Sequence, residues 1–246
     1  MKSPGLPRLQ VRWNLFALIL ALSCAPLLAA DLKPRVVVLT DVKRTHETDD
    51  SQSLVRLLAW ADLVEIEGIV VSSGMNFWQP DHAIGGYAYG FELLRAYRHD
   101  VTNLMKLAGQ QSFDPVESRQ PIGYWPSPDY LVQRYALGTP LQGLDKVGAG
   151  KDNEGSRLIT SIVDEVDDRP VYVLAWGGAN VLAQTLWDLT ENPDRRRSPE
   201  AVAAFVKKLR VVAIGDQDVL WGSRNNPNQA NNSGHWLRTR FPGLHW

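Results

Sequence analysis

Between residues 35 and 214, short runs of β-branched and aliphatic residues alternate with stretches whose apolar positions recur every three or four residues. Arg35–Thr40, Val64–Ser72, Val171–Ala175 and Leu209–Ile214 are runs of the first kind. Bounded by polar or small residues, they predict strands buried on both faces, as in a parallel sheet. Asp50 to Trp60 places Leu54, Val55, Leu57, Leu58 and Trp60 at helical spacing. Ala83 to Tyr97, Glu154 to Val166, Gly178 to Leu189 and Pro199–Lys207 read as further helices. Gln110–Pro128, with four prolines, predicts a long loop, and the polar run Asn225–Ser233 a second. Strand and helix alternate throughout. The fold class predicted is therefore α/β, a mainly parallel open sheet with helices on both faces and a Rossmann-like core.

The strand ends carry the candidate chemistry. Arg35–Thr40 runs into Asp41, with Asp49 and Asp50 following at the start of the next helix. Val64–Ser72 ends in Gly74-Met75-Asn76, the third strand in Trp176-Gly177-Gly178, and the fourth in Asp216-Gln217-Asp218. Right-handed βαβ connections bring all these ends to one edge of the sheet, where open α/β folds bind ligands. Carboxylates crowded together there repel one another, and clustered side-chain oxygens suit a hard cation such as Ca²⁺ or Mg²⁺. Asp49 and Asp50 also suit the first turn of a helix without any chemistry. That reading does not reach Asp41, which ends a strand.

Composition narrows the choice. The chain has 246 residues, 44% hydrophobic and 22% charged, with a net charge of −1. One domain over residues 31–246 is expected, since no linker interrupts it. The charge balance points away from nucleic acid and from a polybasic membrane patch. Met1–Ala30 stands apart: Lys2, Arg8 and Arg12 precede the apolar run Leu15–Leu22, and Ala29 and Ala30 follow. This is the layout of a secretory signal, short for a membrane span. Cys24, the one cysteine, offers the alternative of a lipid anchor after cleavage before it. An exported chain cleaved near Ala30 has no cysteine and draws its stability from its core and any bound metal.

At the same strand ends the sequence resembles the nucleoside hydrolase superfamily. Those enzymes open with a strand and an Asp-rich loop, DxDPGxDDA, matched here by Thr40-Asp41 and, after a longer loop, Thr48-Asp49-Asp50-Ser51. It most resembles the nucleoside-hydrolase-like domain of secreted bacterial cellulose-binding proteins. That branch's TD…E-x-DD-x-x-S-x-x-R-x-L stretch is seen at Asp41, Glu47, Asp49, Asp50, Ser53, Arg56 and Leu58. Glu67-Gly68-Ile69 with Gly74 and Asn76 looks like the family's EGI…GN segment, and Trp176-Gly177-Gly178-Ala179-Asn180 like its WGG-x-N turn. Asp216-Gln217-Asp218, Trp236 and Phe241-Pro242 are also similar to that branch.

The resemblance implies roles. Asp41 would be general base and metal ligand, Asp50 a bidentate Ca²⁺ ligand, and the Ala179 carbonyl a third ligand. Asp49 and Asn76 would hold ribose hydroxyls, with Glu47, Asn180, Gln217 and Asp218 also lining the substrate site. The family's last calcium ligand comes from a later strand, so the domain is expected to be incomplete at its C-terminal end. Two functions follow: a Ca²⁺-assisted hydrolase of N-glycosyl compounds, or a carbohydrate-binding protein that retains the hydrolase fold. Trp78, Trp125 and Trp221 fall in predicted loops, where an indole can stack on a sugar. His46, in the loop beside the carboxylates, reads as solvated, as does Arg195-Arg196-Arg197. The expected partner is a small glycoside or carbohydrate. Export predicts that Met1–Ala30 is removed, or Met1–Ser23 if Cys24 is lipidated. Mass spectrometry of protein recovered from a bacterial host checks this, and soluble cytoplasmic protein retaining Met1 contradicts it.

Overall fold

Val36 to Leu39 is a run of four apolar residues, none more than 5% exposed, and a strand buried on every side belongs in the middle of a sheet. The computed structural model places it there. It describes residues 31–44, 48–74, 80–214 and 231–246, with the backbone alone at 80–82. β1 (Arg35–Thr40) lies between β2 (Glu65–Val71) and β4 (Val171–Ala175). β3 (Tyr135–Leu137) flanks β2 and β5 (Leu209–Ala213) flanks β4, every pairing being parallel. The order is β3-β2-β1-β4-β5. From β1 the chain winds outward twice, first through β2 and β3, then through β4 and β5. The crevice where the winding reverses lies at the carboxyl ends of β1 and β4.

Each face of the sheet buries its own apolar cluster. On one, Ile66, Ile69 and Val71 pack with Leu54 and Leu58 of α1 (Asp49–Ala59) and Leu94, Tyr97 and Val101 of α2 (Pro80–Ala108). Tyr130 and Leu131 of α3 (Pro128–Gln133) complete it. On the other face, Val37, Leu39, Val70 and Val173 meet α4 (Glu154–Asp164), α5 (Asn180–Thr190), α6 (Pro199–Lys208) and α7 (Ser233–Arg240). Leu32–Trp246 forms one unit. Among the described residues no helix is long and apolar enough to cross a membrane.

The element reading holds for four strands and five helices, with ends shifted by a few residues; the helix expected at Ala83–Tyr97 runs much further, to Ala108. α3 and β3 lie just past the predicted loop and were not anticipated, because a strand of three residues is too short to show a period. Ser233, placed in a loop by its polar neighbours, instead opens α7, whose Asn232 cap accepts the amide of His235. Trp125 is a correction. Although it sits in a loop, its side chain is 6% exposed and packed in the α1–α3 cluster, so it offers no ring to a sugar. Arg195 and Arg197 are not merely solvated either, since they pair with Asp152 and Asp164.

The edge opposite the crevice is tied by buried charges. Arg35, fully buried, donates to Glu67 (2.9 Å) and to the Ile162 carbonyl (2.8 Å). Arg169 bridges Glu65 (2.8 Å) and Asp167 (2.6 Å). Lys33 donates to three oxygens at 2.6 Å, those of Ala61, Gln120 and Tyr124. Burial pulls Lys33 down to about 7, yet three acceptors require the three donors of the ammonium. Geometry therefore favours the charged form.

Burial alone would raise Asp167, but the hydrogen bonds and charge of Arg169 outweigh it and hold the carboxyl at about 2. A carboxylate held down in this way stabilises the fold above its unfolded value of about 4, and that contribution is lost as the pH falls toward 2. Urea denaturation should accordingly show a shallower acid loss for Asp167→Asn than for wild type. Arg169→Met strands Glu65 and Asp167 and should cost about 3–5 kcal/mol. Arg98→Ala, at an exposed pair with Asp129, should cost at most about 1 kcal/mol.

Candidate functional site

β1 ends in Thr40, and the next residue, Asp41, leaves the sheet at the switch point. Three hydrogen bonds set its geometry. The Thr40 hydroxyl donates to Asp50 Oδ2 at 2.5 Å, the Asp41 amide donates to the same oxygen at 3.0 Å, and the Val42 amide donates to Thr40 Oγ1 at 3.1 Å. Asp50 stands in the first turn of α1, so the start of that helix is pinned to the end of β1. Ser51 Oγ adds a bond to the Lys43 carbonyl at 2.6 Å. The intervening loop is thereby held at both ends.

Two glycines let the Asp41 carboxyl fit. A Cβ on Gly74, at the end of β2, would stand 2.0 Å from Asp41 Oδ2. A Cβ on Gly177, just after β4, would stand 2.9 Å from the Asp41 amide nitrogen. The Gly177 and Gly178 amides cross the top of the sheet, donating to the carbonyls of Leu39 (3.0 Å) and Ser73 (3.1 Å). The turn after β4 therefore lies over β1 and reaches β2. Neither glycine has a positive φ; their requirement is for space.

Asp41 is half-buried, Asp50 is 6% exposed, and their side chains are within hydrogen-bonding reach. Burial pushes the Asp50 carboxyl above the usual carboxylate range; bonds from Thr40 and Asp41 oppose this, and the charge on Asp49 adds to it. Asp49 itself is exposed at the first position of α1. Ala179 caps the start of α5, its carbonyl accepting the Ala183 amide at 3.0 Å and keeping one lone pair. Asn180 is fully buried behind it.

The structure thus brings Asp41 and Asp50 together, and the turn that carries Ala179 and Asn180 rests on Asp41 through Gly177. Glu47, Asn76, Gln217 and Asp218 lie outside the described residues, as do His46, Trp78, Trp221, Asp216 and the leader Met1–Ala30. Among the described residues no group of three His, Cys, Asp or Glu side chains is placed to hold a metal. Sequence reasoning missed Thr40 as the group that fixes Asp50. Its signal was a hydroxyl residue closing an otherwise apolar strand directly before the aspartate.

No curated protein matches the chain. Among solved structures, a nucleoside hydrolase-related hypothetical protein of Saccharophagus degradans, associated with carbohydrate metabolism, is 33% identical with a TM-score of 0.66. That match covers 86% of this chain and 43% of the other, so the present chain spans less than half the length of its structural relative. The family model described as cellulose-binding Sde182, nucleoside hydrolase-like domain, matches residues 35–246, from the first residue of β1 to the last of the chain, and the protein belongs to that family.

Proposed function

We propose that the switch-point site is that of an exported N-glycosyl hydrolase, with Asp41 as general base toward water attacking a ribosyl-type anomeric carbon. The observation that carries this reading is the Asp41–Asp50 pair. One carboxyl is half-open to the crevice and the other is buried directly behind it. Cleavage of an N-glycosidic bond passes through an oxocarbenium-like sugar, which an adjacent carboxylate stabilises. Asp41, held by the bond from its own amide to Asp50, needs little reorganisation to accept a proton from water.

Calcium fits the donor set. Two neighbouring carboxyls, one of them raised by burial, relieve their repulsion either by sharing a proton or by sharing a hard cation. Asp41, Asp50 and the remaining lone pair of the Ala179 carbonyl would hold it. When bound, the ion supplies positive charge that makes nearby water more acidic. Asp49, Glu47, Asn76, Gln217 and Asp218 are assigned to the sugar. The basic-then-apolar leader supports action outside the cytoplasm.

A second reading, non-catalytic carbohydrate binding, is favoured by the family's description as cellulose-binding. Calcium at millimolar concentration should raise the melting temperature of wild type and leave Asp50→Ala unmoved, because a ligand of the folded state stabilises it. Release of free base from a nucleoside should fall about 10²–10⁴-fold in Asp41→Asn, whose amide cannot take the proton. Equal turnover by both chains removes Asp41 as the base. Retention on cellulose without any hydrolysis decides for binding.

A further inference from the structure

Three segments distant in sequence border a hollow on the α4–α7 face. Thr190 closes α5, α6 runs directly into β5, and α7 ends at Arg240 just before Phe241. Between them lies a cavity of about 570 Å³, within the size range that takes a small organic ligand. It is remote from the Asp41–Asp50 pair. α5 starts beside the crevice, and its 11 residues carry the chain about 15 Å from there to Thr190.

The walls are apolar. Val202, Ala203 and Val206 line the cavity from one face of α6, at helical spacing, and Phe241 lines it from beyond α7. Phe241 is fixed from behind by the Trp236 ring, edge-on at 5.5 Å. Apart from Phe241 these walls are aliphatic and suit an alkyl chain.

The charged lining has one sign. Arg197, Lys207 and Arg240 border the cavity, and no carboxyl does. Asp164 takes Arg197 through two bonds of 2.6 Å, and Glu191 takes one donor of Arg240 at 3.0 Å. Both acids stand outside the lining, and a guanidinium has five donors, so Arg240 keeps N–H groups to give. Lys207 is exposed, and among the described residues its ammonium has no hydrogen-bond or ion-pair partner.

An apolar hollow bordered by cations alone selects an occupant that is apolar in body and anionic at one end. A neutral apolar molecule leaves the cations unused. A sugar phosphate would press hydroxyls against Val202, Val206 and Phe241, which return no hydrogen bonds. A carboxylate matches the fork of a guanidinium. We infer that this cavity is a second binding site, for an alkyl monocarboxylate whose chain lies between α6 and Phe241 and whose head meets Lys207 and Arg240. The inference is independent of the hydrolase reading and assigns a ligand class that reading does not contain.

Calorimetry on the full chain tests this with butyrate, hexanoate and octanoate, each below its micelle-forming concentration, and with octanol and octylammonium. Octanoate should bind, and each pair of methylenes removed should weaken binding about tenfold, because burying a methylene tightens it about fourfold. Octanol should bind more weakly than octanoate, and octylammonium not at all. Lys207→Gln should weaken octanoate about fivefold, the upper end for an exposed ion pair, with the melting temperature kept. Ala203→Trp, at an exposed helix position, should fill the cavity and abolish binding; Lys207→Gln carries the test if that variant fails to fold. No octanoate bound by wild type, equal affinity for octanol, no dependence on chain length, or wild-type affinity in either variant would each overturn the site. A wild-type dimer that Ala203→Trp splits into monomers, read by sedimentation, would make the groove an interface between copies and overturn it equally.

Discussion

The arrangement at the switch point depends on one steric condition: the Asp41 carboxyl occupies the space that a side chain on Gly74 would fill, and the Asp41 backbone crowds the space of one on Gly177. Three strand ends can meet around a carboxylate only if two of them present bare backbone. Once they do, the turn after β4 can lie across β1 and donate to Leu39 and Ser73, which closes the top of the sheet. The same closure sets where α5 begins, and hence where Ala179 and Asn180 stand. A methyl group at either glycine would displace Asp41 or lift the turn, and each outcome separates the pair it forms with Asp50.

The two edges of the sheet give their buried carboxyls different partners. At the amino edge the carboxylates of Glu65, Glu67 and Asp167 each face a guanidinium, and Lys33 meets three oxygens. That edge is a fastening. At the carboxyl edge Asp50 is raised by burial and held by a hydroxyl and an amide, with an aspartate rather than a cation among its described partners. Acidic groups in such a state are stabilised by whatever brings a proton or positive charge to them. Burial raises Glu67 at the amino edge as well, to about 7, against the pull of Arg35, so the two edges differ in their partners rather than in burial.

Much of this was legible in the sequence because the signals were local. Val36–Leu39 could be read as part of a buried strand since all four side chains are apolar, and Asp41 as a site residue since it directly follows the end of that strand at Thr40. β4 was read to the residue. β3 was not, because three residues carry no period and its own Tyr135 and Ala136 fit a helix as well as a strand. Trp125 was misread for a related reason: a loop residue is exposed by default, and only the packing of α2 and α3 shows that this one is core. The cavity between α6 and Phe241 belongs to the same class. It arises from contacts between distant segments, so no spacing in the sequence announces it.

The position of β1 has a consequence for how the chain is made. Its two neighbours, β2 and β4, are separated by more than a hundred residues, since Val37 pairs with Gly68 on one side and Val173 on the other. During synthesis from the amino end, β1 and β2 emerge long before β4 exists. For that interval the most apolar strand of the sheet has one open edge and one uncovered face, the features that invite association between chains. The crevice holding Asp41 is equally late, because half of its walls arrive with β4 and α5. The Asp41 crevice and protection from aggregation are therefore acquired in the same folding step, the insertion of β4 beside β1.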